Sequence, residues 1–357
     1  MEANSFKWNS KRTWHEYSAI FELMCAFIGP KTPVASITNQ VFLKMRAKLA
    51  KIPPNMTKVY PDMTPEQVIK LPDIKRISKT TLDNKLTKIA QFFKWCERLD
   101  YVHKSPAFGW KSVRDKRSKD KKRKPYTDDE LTLIASKLAE VIERPEEKPE
   151  RVWVPLIGMY TGARLDEICQ LYVSDIKCSE DGIWYFDIND DGDKKLKAHT
   201  SAKRLVPIHP ILIEAGILSF TAYQQHYGSP RLWMRLKTGV NGYSTGFSRW
   251  YNARFNRVHI TKDPQKVFHS YRNTWITRMK QLQIPFELID EIDGHSHQGE
   301  GLRTYADSYR IDVLHKEISK LEYGADLSPL IDACKVTFPR QFAKQMPQTQ
   351  KSPHQSD

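Results

Sequence analysis

The sequence predicts a mainly α-helical protein of two domains, with a small antiparallel β-sheet set among the helices of the second. Three observations predict it. Apolar residues recur at helical spacing in several separate stretches, a run of charge with no apolar residue interrupts the chain at 114–124, and beyond that run one strand-turn-strand pattern stands among further helical ones. At 357 residues the chain also exceeds what one hydrophobic core usually serves.

The first helix is expected over Thr13 to Ile28, where Trp14, Tyr17, Ile20, Phe21, Met24 and Phe27 fall at helical spacing and Thr13 is able to cap. A second follows in "SKTTLDNKLTKIAQFFKWCERLDY": Leu82, Leu86, Ile89, Phe93 and Cys96 share one face, leaving Lys85, Lys88 and Lys94 to face away. The plain reading of those lysines is a solvated face. The Pro-rich stretch between the two helices reads as loop with one short helix. Arg114 to Lys124 carries eight basic and two acidic residues, so it cannot pack into a core and reads as a flexible tether able to lie along phosphates.

A capping box opens the second folded unit at "TDDEL", with Thr127 accepting from the backbone three residues on and Glu130 reaching back. After further helical segments, "GIWYFDI" (Gly182 to Ile188) alternates and is rich in strand formers, "NDDGD" is a turn, and "KRLVPI" (Lys203 to Ile208) is its partner strand. Helical patterns resume from Ser248. Near the end, Ile311, Leu314, Ile318 and Leu321 line one side of an amphipathic helix, and the closing residues are expected to be disordered. The expected organisation is a tail at 1–11, a helical domain at 12–112, a basic linker at 113–125, a second domain at 126–335 and a tail at 336–357.

Composition bounds the partners. Lys+Arg 57 against Asp+Glu 42 gives a formal charge of +15, which attracts polyanions: DNA, RNA or an anionic membrane. No apolar run is long enough to span a bilayer and the first residues lack the apolar core of a signal peptide, so a cytoplasmic protein is expected. Five scattered cysteines without a C-x-x-C pair point to reduced thiols rather than disulfides or zinc ligands. Neither a phosphate-binding G-x-x-x-x-G-K-[ST] loop nor the tight carboxylate cluster of a two-metal nuclease is visible, and no cofactor is expected. Nor is there an aromatic strand of the kind RNA-binding modules use.

Four clusters hold residues fit for chemistry. In "YTGARLDEICQL", Thr161-Gly162 breaks an apolar run and Arg164 opens the next helix, its donors turned toward any anion near that helix's positive end. In "FHSYRNTWITRM", His269 and Arg272 are three apart, as on one helical face, while Tyr271 and Trp275 are assigned to packing. "KKLKAHTSAKRLVP" places Lys194, Lys195, Lys197 and Lys203 about a β-turn. "DGHSHQGEGLRTYADSY" sets His295 after Gly294 and Tyr305 ten residues later. Each has a bland reading: an arginine capped by Asp166 or Glu167, a surface histidine beside an arginine, a basic hairpin keeping an edge strand soluble.

Taken in order, "TGxR…E", a hairpin lysine, "HxxR", "GHS" and a downstream "TY" resemble the tyrosine recombinases, the phage-type integrases. The resemblance spans nearly the whole chain. It implies a two-domain architecture, a helical core-binding domain joined by the basic linker to an α+β catalytic domain, and a site-specific DNA recombinase acting through a 3′-phosphotyrosyl intermediate for a phage or other mobile element. By the same resemblance Arg164 and Arg272 hold the non-bridging phosphate oxygens, His295 adds a hydrogen bond to them, Tyr305 is the nucleophile, His269 its acid/base partner, and Lys197 protonates the departing 5′ oxygen. Lys195 stands as the alternative lysine and Tyr309 as the alternative nucleophile. Asn273 occupies a position where many relatives carry a second histidine.

The implied partners are duplex DNA at attachment-type sites, three further copies of the chain in a tetramer, and host DNA-bending and directionality factors. A cytoplasmic, nucleoid-associated setting in a bacterial host or prophage is implied with them. Lys85, Lys88, Lys116, Lys121, Lys122 and Arg123 are the expected DNA contacts, within a clamp formed by the two domains. Two other functions fit the same pattern: a type IB topoisomerase-like enzyme, or a non-catalytic DNA-binding regulator that keeps the clamp.

Overall fold

The computed structural model describes residues 11–110, 123–142, 148–196, 203–239, 242–295 and 308–345. The chain divides into two compact units, 1–120 and 121–357.

The regular elements among the described residues of unit 1 are all helices. Helices α1 (Lys11–Ile28) and α5 (Lys79–Arg98) bury most of the apolar faces their spacing predicts, with Ile20, Met24 and Phe27 on one and Leu86, Ile89, Phe93 and Cys96 on the other, while Trp14 of α1 is exposed. Between them lies α2 (Asn39–Leu49), which the sequence reading passed over. Thr38 caps it by accepting from Val41 N, and Phe42, Met45 and Leu49 are buried. Three of its residues are basic, and they thin a stripe only three apolar residues long. The Pro-rich stretch forms two short helices rather than one, α3 (Met56–Val59) and α4 (Pro65–Val68); Thr64 and Gln67 make a capping box at the start of α4.

The lysine face of α5 differs from expectation. Lys94 is exposed, whereas Lys85 and Lys88 are half-buried. Lys88 Nζ pairs with Glu16 Oε2 at 2.6 Å and sits 5.1 Å from the centre of the Tyr17 ring. Burial lowers the Lys85 pKa, the Lys88 charge lowers it further, and Glu16 opposes both. Long aliphatic stems cover apolar surface while the charged heads reach its edge.

Unit 2 opens at the expected capping box: Thr127 N donates to Glu130 Oε2 (2.9 Å) and Glu130 N to Thr127 Oγ1 (3.2 Å), starting α6 (Asp128–Ile142). Next comes α7 (Glu150–Thr161), buried along nearly its whole length, then the short α8 (Leu165–Cys169). Strands β1 (Ile176–Cys178), β2 (Trp184–Ile188) and β3 (Arg204–Pro207) form an antiparallel sheet in that order, with Phe186 opposite both Ile176 and Val206. The hairpin β2–β3 is the one read from the sequence; β1, at three residues, is too short to show a period.

The remaining helices are α9 (Pro210–Glu214), α10 (Ile217–His226), α11 (Ser244–Arg249), which continues as a wider π-helix over Trp250–Ile260, α12 (Ser270–Gln281), α13 (Phe286–Asp293), α14 (Ile311–Ile318) and α15 (Ser328–Gln345). Helix α7 packs between α6 and α12, and α15 lies along α6. Leu314 and Ile318 of α14, with Leu321 beyond it, are buried in this chain's own core. The apolar stripe is therefore satisfied in cis. Helix α15 was not anticipated, although Leu330, Ile331 and Cys334 are buried there. All five cysteines are free thiols, three of them buried. No helix among the described residues is long and apolar enough to cross a membrane.

Candidate active site

Two glycine turns build the site. Helix α7 ends at Gly162, whose φ of 62° is left-handed and whose missing Cβ would stand 2.8 Å from the Trp275 ring. A side chain there would meet both a backbone penalty and a buried indole. The turn delivers Arg164 to the start of α8, where Glu167 accepts from its backbone N–H (Oε2, 3.0 Å) and from Nη1 (Oε1, 2.8 Å). Asp166 instead accepts from Ser244 N at 2.9 Å.

The second turn is Gly294 (φ 71°), which closes α13 by donating to Asp290 O. Its missing Cβ would lie 2.7 Å from Arg204 Nη1. Around this turn the separated motifs meet. Arg164 Nη2 donates to Gly294 O at 3.2 Å. Arg272, on the first turn of α12, donates through Nη1 to Gly162 O (2.9 Å) and to Asp293 O, and its Nη2 lies 3.1 Å from both Asp293 Oδ1 and His295 Nδ1. His295 Nδ1 is 2.7 Å from Asp293 Oδ2.

Exposure sorts the cluster. Arg272 is 2% exposed and Asp293 0%, so this pair forms the floor, while the side chains of Arg164 (22%) and His295 (50%) face outward. Burial pulls the Arg272 pKa down to about 10, and the Arg164 and Arg204 charges add to that while Asp293 opposes it; the guanidinium stays charged at neutral pH. Burial works to raise the Glu167 carboxyl, but Arg204 and then Arg164 outweigh it and hold its pKa below the ordinary value.

The pocket therefore offers donors from a fixed arginine and an imidazole above a buried cation. Such a site suits an oxyanion. Asp290, Asp293 and His295 also bring donor atoms within 4.8 Å of one another. Both Asp293 oxygens are already engaged, by the Arg272 cation and the imidazole, so this trio suits a buried ion-pair network better than a metal.

His269 is exposed at the N-terminus of α12, one turn before the buried Arg272. Lys194 is spent on structure: its Nζ is 2.7 and 2.8 Å from the two oxygens of Asp175, with both side chains buried. Lys195 has an exposed side chain, and its backbone is gripped by the Gln170 carboxamide, which accepts from Lys195 N (3.0 Å) and donates to Lys195 O (3.1 Å). Lys203 is exposed and pairs with Asp190. Tyr309 is exposed, its N–H donating to Glu291 Oε1 at 3.1 Å.

Lys197, Tyr305, Lys116, Lys121 and Lys122 lie outside the described residues. Arg123, expected on phosphates at the end of a flexible tether, donates through Nη1 to Pro264 O at 2.7 Å, while its own carbonyl accepts from Asn273 Nδ2 at 2.9 Å. Asn273 thus fastens the entry of the chain into unit 2. Two buried residues that complete the cluster were missed by the sequence reading: Arg204, which reaches Glu167 Oε2 (2.7 Å), and Asp293. Arg204 carried a weak signal, a charged residue at an inward strand position beside Val206, which is also buried.

A scan against models of protein families finds no match, and no curated protein matches the sequence. Among solved structures, the Tn1549 transposon integrase in complex with transposon right end DNA superposes with a TM-score of 0.54 at 16% identity, covering 90% of this chain and 97% of that one. The XerH site-specific recombinase bound to palindromic difH substrate gives 0.52 at 15%, covering 79% and 73%. A lambda integrase dimer bound to a COC' core site gives 0.50 at 14%, covering 85% and 93%. Identities this low speak for architecture, and the architecture is plain: this chain, mainly helical with its three-stranded antiparallel sheet, has the tyrosine-recombinase fold.

Proposed function

We propose that the protein is a site-specific DNA recombinase that cleaves and rejoins duplex DNA through a 3′-phosphotyrosyl intermediate, serving a phage or other mobile element. The observation that carries this reading is the meeting of Arg164, Arg272 and His295, drawn from three distant motifs, about the Gly294 turn. Cations fixed around one phosphodiester stabilise the charge that grows on its non-bridging oxygens, and this requires no reorganisation during the reaction. Here Arg164 and His295 face the phosphate, with Arg272 charging the pocket from below. Tyr305 attacks phosphorus, His269 manages the phenol proton, and Lys197 protonates the 5′ oxygen. The phosphotyrosyl bond conserves the energy of the broken ester, so religation needs no ATP. Duplex DNA is bound by both a core-binding domain (12–112) and a catalytic domain (126–335) joined by the basic linker, and four copies act on two duplexes.

The test uses nicked, suicide-type DNA carrying the ends of the element. On a denaturing gel a shifted covalent species forms with the native protein and is lost in Tyr305→Phe. Persistence there with loss in Tyr309→Phe moves the nucleophile and keeps the class. Absence of any covalent species with the native protein removes the proposal.

A further inference from the structure

Arg204 is a buried arginine on β3, its side chain 3% exposed, and the roles proposed above leave it unused. Its guanidinium joins two parts of the pocket. Nη2 donates to Glu167 Oε2 at 2.7 Å, Nε donates to Ile292 O at 2.7 Å at the end of α13, and Nη1 lies against Gly294. Glu167 is the carboxylate that holds Arg164, and Gly294 carries the carbonyl that Arg164 Nη2 also meets.

We propose that Arg204 is a positioning residue of the anion pocket, occupying one oxygen of Glu167 and fixing the α13 terminus so that Arg164 and His295 present their donors to a phosphate group. The inference rests on reading this pocket as a phosphodiester site. Without Arg204, Glu167 Oε2 has lost a cationic partner, and a buried carboxylate in that state takes Arg164 through both ends of its fork, drawing it away from a ligand. Charge points the same way. Arg164 and Arg204 both pair with Glu167, and Arg272 pairs with Asp293. Three cations thus meet two carboxylates, and removal of Arg204 takes away the excess positive charge offered to an incoming anion.

Titration of the full chain with inorganic phosphate at low ionic strength tests this without any DNA site. Arg204→Met is expected to weaken phosphate binding about tenfold, the scale of one charge-assisted hydrogen bond. Arg204→Met combined with Glu167→Gln removes the stranded charge while keeping a carbonyl for Arg164, and is expected to return affinity to within about threefold of the native protein. A residue acting by packing alone would show no such recovery. Should Arg204→Met fail to fold, Arg204→Lys replaces it, since an ammonium spans only one of the two partners and is expected to bind about threefold more weakly. Native-like binding by the folded single variant, or continued weakness of the double variant, overturns the proposal. Loss of phosphate binding in Arg164→Ala together with its retention in Arg204→Met sinks this inference alone; no phosphate binding by the native chain sinks it together with the pocket's reading.

Discussion

Asp293 and His295 are joined twice across the Gly294 turn: Oδ2 lies 2.7 Å from the imidazole Nδ1, and Oδ1 accepts from the His295 backbone N–H at 2.8 Å. The carboxylate holds the imidazole by Nδ1 and so fixes the orientation of the ring. Because Oδ1 also meets Arg272 Nη2 at 3.1 Å, one buried acid sets both the cation in the floor and the imidazole at the mouth.

Asp293→Asn is therefore expected to act on stability and on activity together. Removing one member of a buried charge pair costs about 3–5 kcal/mol, because the other charge stays buried. Urea unfolding followed by fluorescence gives the first figure, and formation of the covalent DNA adduct, expected to slow at least tenfold with His295 no longer oriented, gives the second. A variant as stable as the native protein contradicts the pairing.

The contrast between Asp293 and Arg164 shows what the sequence made legible. Arg164, Arg272 and His295 are named because their motifs, taken in order along the chain, resemble those of the tyrosine recombinases. Asp293 and Arg204 were missed because each has a bland local reading, a helix-ending acid and a charged strand residue, and acquires a role only through partners 21 to 88 residues away or across a turn. Helices α1, α5 and α14 were legible from strong 3.6-residue stripes. Helices α2 and α15 were not, since basic residues dilute the first and prolines at 329 and 339 break the pattern of the second. The half-buried Lys88 follows the same rule: its partner Glu16 lies on another helix, beyond the reach of a periodicity argument.

The hairpin lysines separate by environment. Lys194, held by both oxygens of Asp175 with its side chain 2% exposed, belongs to the framework, while the Lys195 backbone is anchored by Gln170. Lys194→Met is expected to lower unfolding stability by about 3–5 kcal/mol. Lys197→Ala should leave the urea midpoint unchanged and slow cleavage about 100-fold or more, the usual weight of a general acid. Lys195→Ala is expected to change neither. Loss of cleavage in Lys195→Ala with native behaviour of Lys197→Ala would transfer the role to the neighbour.

Acid should loosen the second unit through His209. Its Nδ1 accepts from Ile211 N at 3.2 Å, Nε2 lies 3.1 Å from Leu321 O, and the ring packs against Tyr160 with centroids 4.5 Å apart and planes tilted by 36°, an arrangement that suits the neutral imidazole. Burial drives its pKa down to about 4, and the nearby His315 adds to that, against the raising effect of the Leu321 carbonyl. Since an unfolded histidine titrates near pH 6.5, the unfolded chain binds this proton first as pH falls. Stability from the neutral ring is thus complete above about pH 6.5 and is lost progressively down to about pH 4, a loss on the order of 3 kcal/mol. His209→Asn keeps an acceptor for Ile211 N but does not titrate. It should be less stable at pH 7 and show a flatter decline between pH 6.5 and 4, read from urea midpoints across that range. An unchanged acid slope in this variant would assign the loss to other groups.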